Sequence, residues 1–291
     1  MRFKQITVVG IGLIGGSFAL AARRAGLAEA ITGWDSPDVV DQACALGLID
    51  SAEESFESGG CQSDLVYLAP PVGTIVSILE RGAELFKNGS IVTDAGSTKR
   101  TICNAAGSLP SSVHFVGGHP MAGSHNTGLT HADAALFEGA PYALVQDESR
   151  PDSADAARVM EEVVVSLGAR PVRMSADEHD RIVARVSHTP QLLATSLARC
   201  VSKSMSEEDF RLAGSGFAEM VRLAGSRWSV WEDICRSNVD EITLALDELI
   251  SEIEEMRTNI SSRDFDRVGE SFKDANRLSS SLSGSSAAIR R

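Results

Sequence analysis

Short apolar runs alternate along the chain with longer stretches whose apolar residues recur every three or four positions. The first run, residues 6–9, is β-branched, and it passes through a cluster of glycines into helical spacing from Ser17 onward. Further strand-like runs occupy residues 31–35, 64–69, 90–94, 113–117, 142–145 and 170–173. Between them, helical spacing covers 73–86 (Ile75, Ile78, Leu79, Ala83 and Leu85 on one face), 98–106 and 153–167. Repeated β–α alternation predicts a mostly parallel, doubly wound α/β sheet. Near Met174 the texture changes. From Asp177 the pattern is helical throughout, including 191–204, 228–236 and 238–256, where Ile242, Leu246, Leu249, Ile250 and Ile253 share a face. The reading is an α/β domain over 1–174 and an all-α domain over 175–280. The sequence turns serine-rich from Leu278, so residues 281–291 are expected to form a disordered tail. Long apolar faces on the helical domain predict a homodimer formed through it.

The glycines after the first run give the α/β domain its chemistry. Gly10, Gly12 and Gly15 form G-x-G-x-x-G between a strand and a helix, the setting in which this pattern marks a Rossmann-type dinucleotide fold. Gly10 permits the tight turn, Gly12 admits a pyrophosphate close to the backbone, and Gly15 lets helix and strand pack. The helix start, with Leu13 and Ile14, offers N–H groups and a positive dipole end to phosphate. Asp35 ends the second strand 20 residues past the last glycine, where a carboxylate bonds ribose hydroxyls and repels a 2′-phosphate. The expected cofactor is NAD. Pro70, at the end of the 64–69 run, joins these residues as a cofactor contact.

Composition narrows the class. At 291 residues with 43% hydrophobic and 23% charged residues, the chain is an ordinary soluble globular protein. A net charge of −13 argues against nucleic acid. Cys44, Cys61, Cys103, Cys200 and Cys235 are scattered without a C-x-x-C pair, which fits free thiols in the cytoplasm and neither disulfides nor a metal site. No stretch approaches the roughly 18 apolar residues of a membrane span, and the glycines break up any signal-peptide pattern.

Four clusters carry candidate chemistry. Gly117-Gly118-His119-Pro120-Met121-Ala122-Gly123-Ser124 follows a strand, at the sheet edge where α/β proteins bind ligands. His119 there suits a general base for a hydroxyl whose carbon gives up hydride, whereas His125 and His131 lack this setting and are expected to face solvent. In Asp94-Ala95-Gly96-Ser97-Thr98-Lys99, Ser97 or Thr98 caps the next helix, or the Ser97 hydroxyl stands beside the nicotinamide and His119; one serine can do both. Ser187-His188-Thr189-Pro190-Gln191 opens a helix, so the His188 ring can face the cleft. Past Gly214-Ser215-Gly216, Arg222 is either a surface ion-pair partner or a bidentate clamp for a substrate carboxylate. Trp228 and Trp231 are read as core residues.

Taken together, G-I-G-L-I-G-G-S, D-A-G-S-T-K, G-H-P-M-A-G, S-H-T-P and the G-F-x-E-M-V-R-L-A segment ending near Ala224 resemble the prephenate and arogenate dehydrogenases of tyrosine biosynthesis, in order and across most of the chain. The resemblance implies NAD-dependent oxidation of a cyclohexadienol with loss of its ring carboxylate, the small-molecule substrate being prephenate or, alternatively, arogenate. It implies His119 as catalytic base, Ser97 as its partner, and His188, Gln191 and Arg222 as substrate-binding residues. It also implies that the turn at Gly214–Gly216, with Gly216, contributes to the neighbouring subunit's cleft. Many prephenate-selective members carry histidine where this chain has Gln191. Neither a fused mutase nor a C-terminal regulatory domain is expected, so feedback by tyrosine would act in the active site. Two other readings compete with this one. A β-hydroxyacid dehydrogenase needs an interdomain lysine that 177–199 lacks, and a non-catalytic NAD-binding regulator would lack His119, Ser97, His188 and Arg222.

Overall fold

The computed structural model describes residues 2–54, 56, 61–123, 128–146 and 153–289. β1 (Phe3–Val9), α1 (Leu13–Arg24), β2 (Ala28–Trp34), α2 (Pro37–Ala45) and the two-residue β3 (Ser51–Ala52) make the first winding of the sheet. β4 (Leu65–Leu68), α3 (Val72–Arg81), β5 (Ile91–Asp94), α4 (Arg100–Ala106) and β6 (His114–Pro120) make the second. β7 (Pro141–Gln146), α5 (Ser153–Ser166) and β8 (Arg170–Arg173) complete it.

The strand order is β3-β2-β1-β4-β5-β6-β7-β8, with every pair parallel except β6 and β7. The order reverses between β1 and β4, so their carboxyl ends open the crevice where such sheets bind ligands. β4 and β5 are buried throughout, as strands covered on both faces must be. Phe18, Ala22, Val40, Met160 and Val164 from α1, α2 and α5 build one core. Ile75, Leu79, Ile102 and Ala106 from α3 and α4 build the other. The Phe18 ring stacks on Tyr67 of β4 with centroids 3.7 Å apart, fixing α1 on the sheet.

After β8 the described elements are helical: α6 (Ala176–Val183), a π-helical turn at Ala184–His188, α7 (Thr189–Ser204), α8 (Ser215–Val221), α9 (Trp228–Ser237), α10 (Val239–Ser261) and α11 (Phe265–Ile289), with short 3-10 turns between. By packing, however, the chain divides into units Met1–Val239 and Asp240–Arg291. Helices α6–α9 pack with the sheet in the first of these units, and residue 174 is where the elements change from strand and helix to helix alone. Two carboxylates anchor them: Asp180 of α6 accepts the Lys99 and Arg100 N–H groups, and Asp233 of α9 accepts the Gly73 N–H.

Three local expectations are corrected. β6 runs on through His119 and Pro120, because β7 pairs with it residue by residue and this pairing outweighs the weak strand preference of its glycines. α4 begins at Arg100, not Thr98. The serine-rich end is helical to Ile289, not disordered: Ser271 and Ser281 satisfy their hydroxyls on the Arg267 and Leu278 carbonyls, and exposed serine costs a helix only about 0.5 kcal/mol. No helix among the described residues is long and apolar enough to cross a membrane.

Candidate active site

The glycine turn closes over the switch point by steric necessity. Gly10 has φ +83°, and a Cβ there would lie 2.6 Å from the Pro70 nitrogen. A Cβ on Gly15 would lie 2.0 Å from the Gly10 carbonyl oxygen. Beyond the turn the space is open. Gly12, the N-cap of α1, would aim a Cβ at nothing within 4 Å, and no side chain caps the helix. The turn faces a cleft of about 670 Å³ lined by Gly10, Gly12, Asp35, Pro70 and Thr74, among others. A helix start with unclaimed N–H groups in an open cleft fits a pyrophosphate, and Leu13 and Ile14 supply its first turn. Asp35 accepts the Ile11 N–H on Oδ2 and the Ser36 N–H on Oδ1, each at 2.7 Å. These bonds hold the carboxylate against the turn, and each oxygen keeps acceptor capacity for a ribose hydroxyl.

The second half of the site sits at the same edge of the sheet. Asp94, at the end of β5, accepts the Gly118 N–H on Oδ1 at 3.0 Å and the Gly96 N–H on Oδ2 at 2.8 Å. Lys99 is fully buried and donates its ammonium to Asp94 Oδ2. This pair fastens the loop carrying Ser97 to the strand carrying His119. His119 is buried, 9% exposed as a residue, and its Nδ1 lies 2.8 Å from His179 Nε2 on α6. The His179 Nδ1 lies 2.8 Å from Asp180 Oδ1. Burial, then His179, Lys99 and His188, hold the His119 pKa well below that of a free histidine.

Ser97 is half-buried in the loop after β5 and hydrogen-bonds to no described residue. Neither expected cap forms. Thr98 pairs its hydroxyl with Ser237, and the Asp180 carboxylate caps α4. His188, buried at the end of the π-helical turn, faces Trp231 edge-on with ring centroids 5.8 Å apart. Burial lowers its pKa to about 4, so it is neutral near pH 7. The Asn238 amide is oriented by Arg100, which donates to its Oδ1, while its Nδ2 donates to the Asp180 carbonyl. That same Nδ2 faces His188 Nδ1 at 3.4 Å, which leaves His188 Nε2 as the protonated nitrogen, a donor.

Gln191 is buried and its amide is engaged. Nε2 donates to the Leu223 carbonyl at 2.7 Å, and Oε1 accepts from Ser226 Oγ at 3.1 Å. It clips α7 to the turn that begins at Arg222. Arg222 is exposed and makes no ion pair with a described residue. Gly214 and Gly216 are not a free turn but the N-cap and first turn of α8, with Gly216 exposed. Trp228 is 63% exposed, so the core expectation fails for it. His131 is exposed as expected, and His125 lies outside the described residues.

Sequence reasoning missed Lys99, His179, Asp180 and Asn238. A signal for two of them exists. Ser175 and Glu178 form S-x-x-E, with Ser175 Oγ accepting the Glu178 N–H at 3.1 Å, so α6 is marked and His179-Asp180 lies one turn inside it. Nothing local marks Asn238, whose partners Arg100 and Asp180 are far along the chain, whereas Lys99 pairs with Asp94 within the same D-A-G-S-T-K cluster.

Residues 18–172 match the family model described as the nucleotide-binding domain of prephenate dehydrogenase, and residues 175–274 match its dimerization domain. The prephenate dehydrogenase of Bacillus subtilis is 36% identical over 277 residues, covering 93% of this chain and 74% of that protein. The cyclohexadienyl dehydrogenase of Zymomonas mobilis is 31% identical over 94% of each chain. The crystal structure of Aquifex aeolicus prephenate dehydrogenase in complex with hydroxyphenyl propionate and NAD+ superposes with a TM-score of 0.89 at 26% identity, over 97% of this chain and 99% of that one.

Proposed function

The chain belongs to the prephenate dehydrogenase family, and from that premise we propose that it oxidises prephenate with release of carbon dioxide, leaving 4-hydroxyphenylpyruvate. It is an NAD-dependent dehydrogenase, not a non-catalytic regulator. NAD, when bound, supplies the acceptor for the hydride that leaves the carbinol carbon. The observation that carries the reading is His119: a buried, neutral imidazole at the end of β6, on the edge of the sheet that also bears the glycine turn after β1. His119 takes the hydroxyl proton. The ring carboxylate then departs and the ring becomes aromatic, which drives the step forward. Ser97 has an uncommitted hydroxyl in the loop beside His119 and orients the carbinol or the nicotinamide. Arg222 has an uncommitted guanidinium suited to a bidentate carboxylate. His188 is neutral and binds substrate as a donor through Nε2, not as a cation.

Two segments divide the work in this reading: 1–174 holds the cofactor, while 175–280 binds substrate and forms the homodimer. Support for the dimer comes from Ile250, Ile253, Phe265, Phe272 and Leu282, all exposed on α10 and α11 within one chain. Gly216, exposed on α8, is the candidate contribution to a neighbouring cleft. The cytoplasm suits the enzyme, since all five cysteines are free thiols.

One observation favours arogenate as a second substrate. Gln191 is neutral and its amide is spent on Leu223 and Ser226, so it contributes no charge that would favour a pyruvyl over an alanyl side chain. A relative of similar length is a cyclohexadienyl dehydrogenase.

The pH profile tests the base. His119 acts in its neutral form, and its pKa is depressed, so the acid limb of kcat/KM falls below pH 6.5. A limb at or above 6.5 assigns the base elsewhere. The ribose contact has its own test. Asp35→Asn with Ser36→Arg keeps an acceptor for the Ile11 N–H, removes the repelling charge and adds a phosphate partner. This variant gains NADP turnover, measured as the ratio of kcat/KM for the two cofactors. Wild-type preference for NADP contradicts the assignment of Asp35.

A further inference from the structure

His119, His179 and Asp180 form a continuous buried chain, and only its outer member has been given a role. Resting on the reading of His119 as base, we propose that His179 and Asp180 are positioning residues that lock His119 in the tautomer whose Nε2 is free to take a proton. The argument is one of donors and acceptors. The Asp180 carboxylate can only accept, and it already takes the Lys99 and Arg100 N–H groups. His179 therefore points a protonated Nδ1 at Asp180 Oδ1, 2.8 Å away. A neutral His179 then presents a lone pair on Nε2, and His119 Nδ1 stands 2.8 Å from it. His119 must donate there. Its single ring proton is thus fixed on Nδ1, and Nε2 carries the free lone pair.

The surrounding charges favour this neutral arrangement. The charged and titratable groups acting on His119 are His179 on α6, Lys99 at the start of α4 and His188 at the end of the π-helical turn, and none is a carboxylate. His179 is acted on by Asp180, Lys99 and Asp94. Its pKa is lowered, chiefly by burial, with Lys99 acting in the same direction against the two carboxylates. When His119 takes the substrate proton on Nε2, no group need leave. The imidazolium keeps its Nδ1–H donated to His179, which relays the field of the Asp180 carboxylate. His179 thus acts at a distance from the reacting atoms, as the aspartate of a catalytic triad acts on its histidine.

The test compares His179→Leu with His179→Gln in the full-length enzyme. Glutamine can accept from His119 Nδ1 with its carbonyl and donate to Asp180 with its amide, keeping the polarity of the chain; leucine can do neither. The expected result is a kcat loss of about 10²-fold or more for His179→Leu, with KM for NAD changed little, and recovery to within about tenfold of wild type for His179→Gln. Nitrogen-15 NMR of the imidazoles reads the tautomer without turnover: His119 protonated on Nδ1 in wild type and His179→Gln, and mixed in His179→Leu. Equal activity of the two variants overturns the proposal, as does a wild-type His119 protonated on Nε2. His119→Asn run in parallel separates two failures. If it turns over like wild type, the base assignment falls and takes the lock with it. If it is inactive while His179→Leu is fully active, only the lock falls.

Discussion

Replacing His119 by asparagine lowers kcat by about 10²–10⁴, the range for loss of a general base, while NAD affinity holds. The separation follows from the fold. The glycine turn, the start of α1 and Asp35 make the cofactor cleft at the ends of β1 and β2, whereas His119 belongs to β6. Asparagine also keeps the β6–β7 pairing, which is made by backbone groups. Steady-state kinetics with a fluorescence titration of NADH check both halves. A variant with normal kcat shows that the proton is taken elsewhere. One that loses NADH binding as well shows that residue 119 supports the cleft and not the chemistry.

Lys99→Met destabilises the protein by about 3–5 kcal/mol, because it strands the Asp94 carboxylate in the interior. Both side chains are fully buried, and among the described residues Asp94 would keep only the Gly96 and Gly118 N–H groups as hydrogen-bond partners. Urea unfolding should show a lower midpoint with an unchanged slope. Adding Asp94→Asn removes the stranded charge and recovers part of the loss. Folded Lys99→Met carries a second signature. Lys99 is one of the groups that depress His119, so its removal moves the acid limb of kcat/KM to higher pH. An unchanged midpoint would mean that water reaches Asp94.

The fold was readable where local pattern and tertiary demand agree. Residues 65–68 are apolar without alternation because β4 is covered on both faces, and Ile91 and Val92 follow suit in β5. Legibility failed where long-range pairing decided the outcome. Gly118, His119 and Pro120 read as loop, yet β7 recruits them as strand. Ser97 and Thr98 read as caps for α4, but the cap comes from Asp180, 80 residues from Arg100. The site shows the same division. Gly10, Gly12, Gly15 and Asp35 act through contacts close in sequence or at a spacing the turn dictates. His179 and Asp180 take their meaning from His119 and from the start of α4, partners that only the folded chain brings near. The Gln191 amide bonds the turn that begins at Arg222, a contact that no local pattern announces.

The account centres on oxidation of a cyclohexadienol with NAD. The most direct test measures kcat/KM of the purified enzyme for prephenate and for arogenate, with NAD and with NADP, while carbon dioxide is counted against reduced cofactor. The expected result is turnover of prephenate with NAD, one carbon dioxide per NADH, the other pairings being slower. No turnover of either substrate with either cofactor, or NADH formed without carbon dioxide, contradicts it.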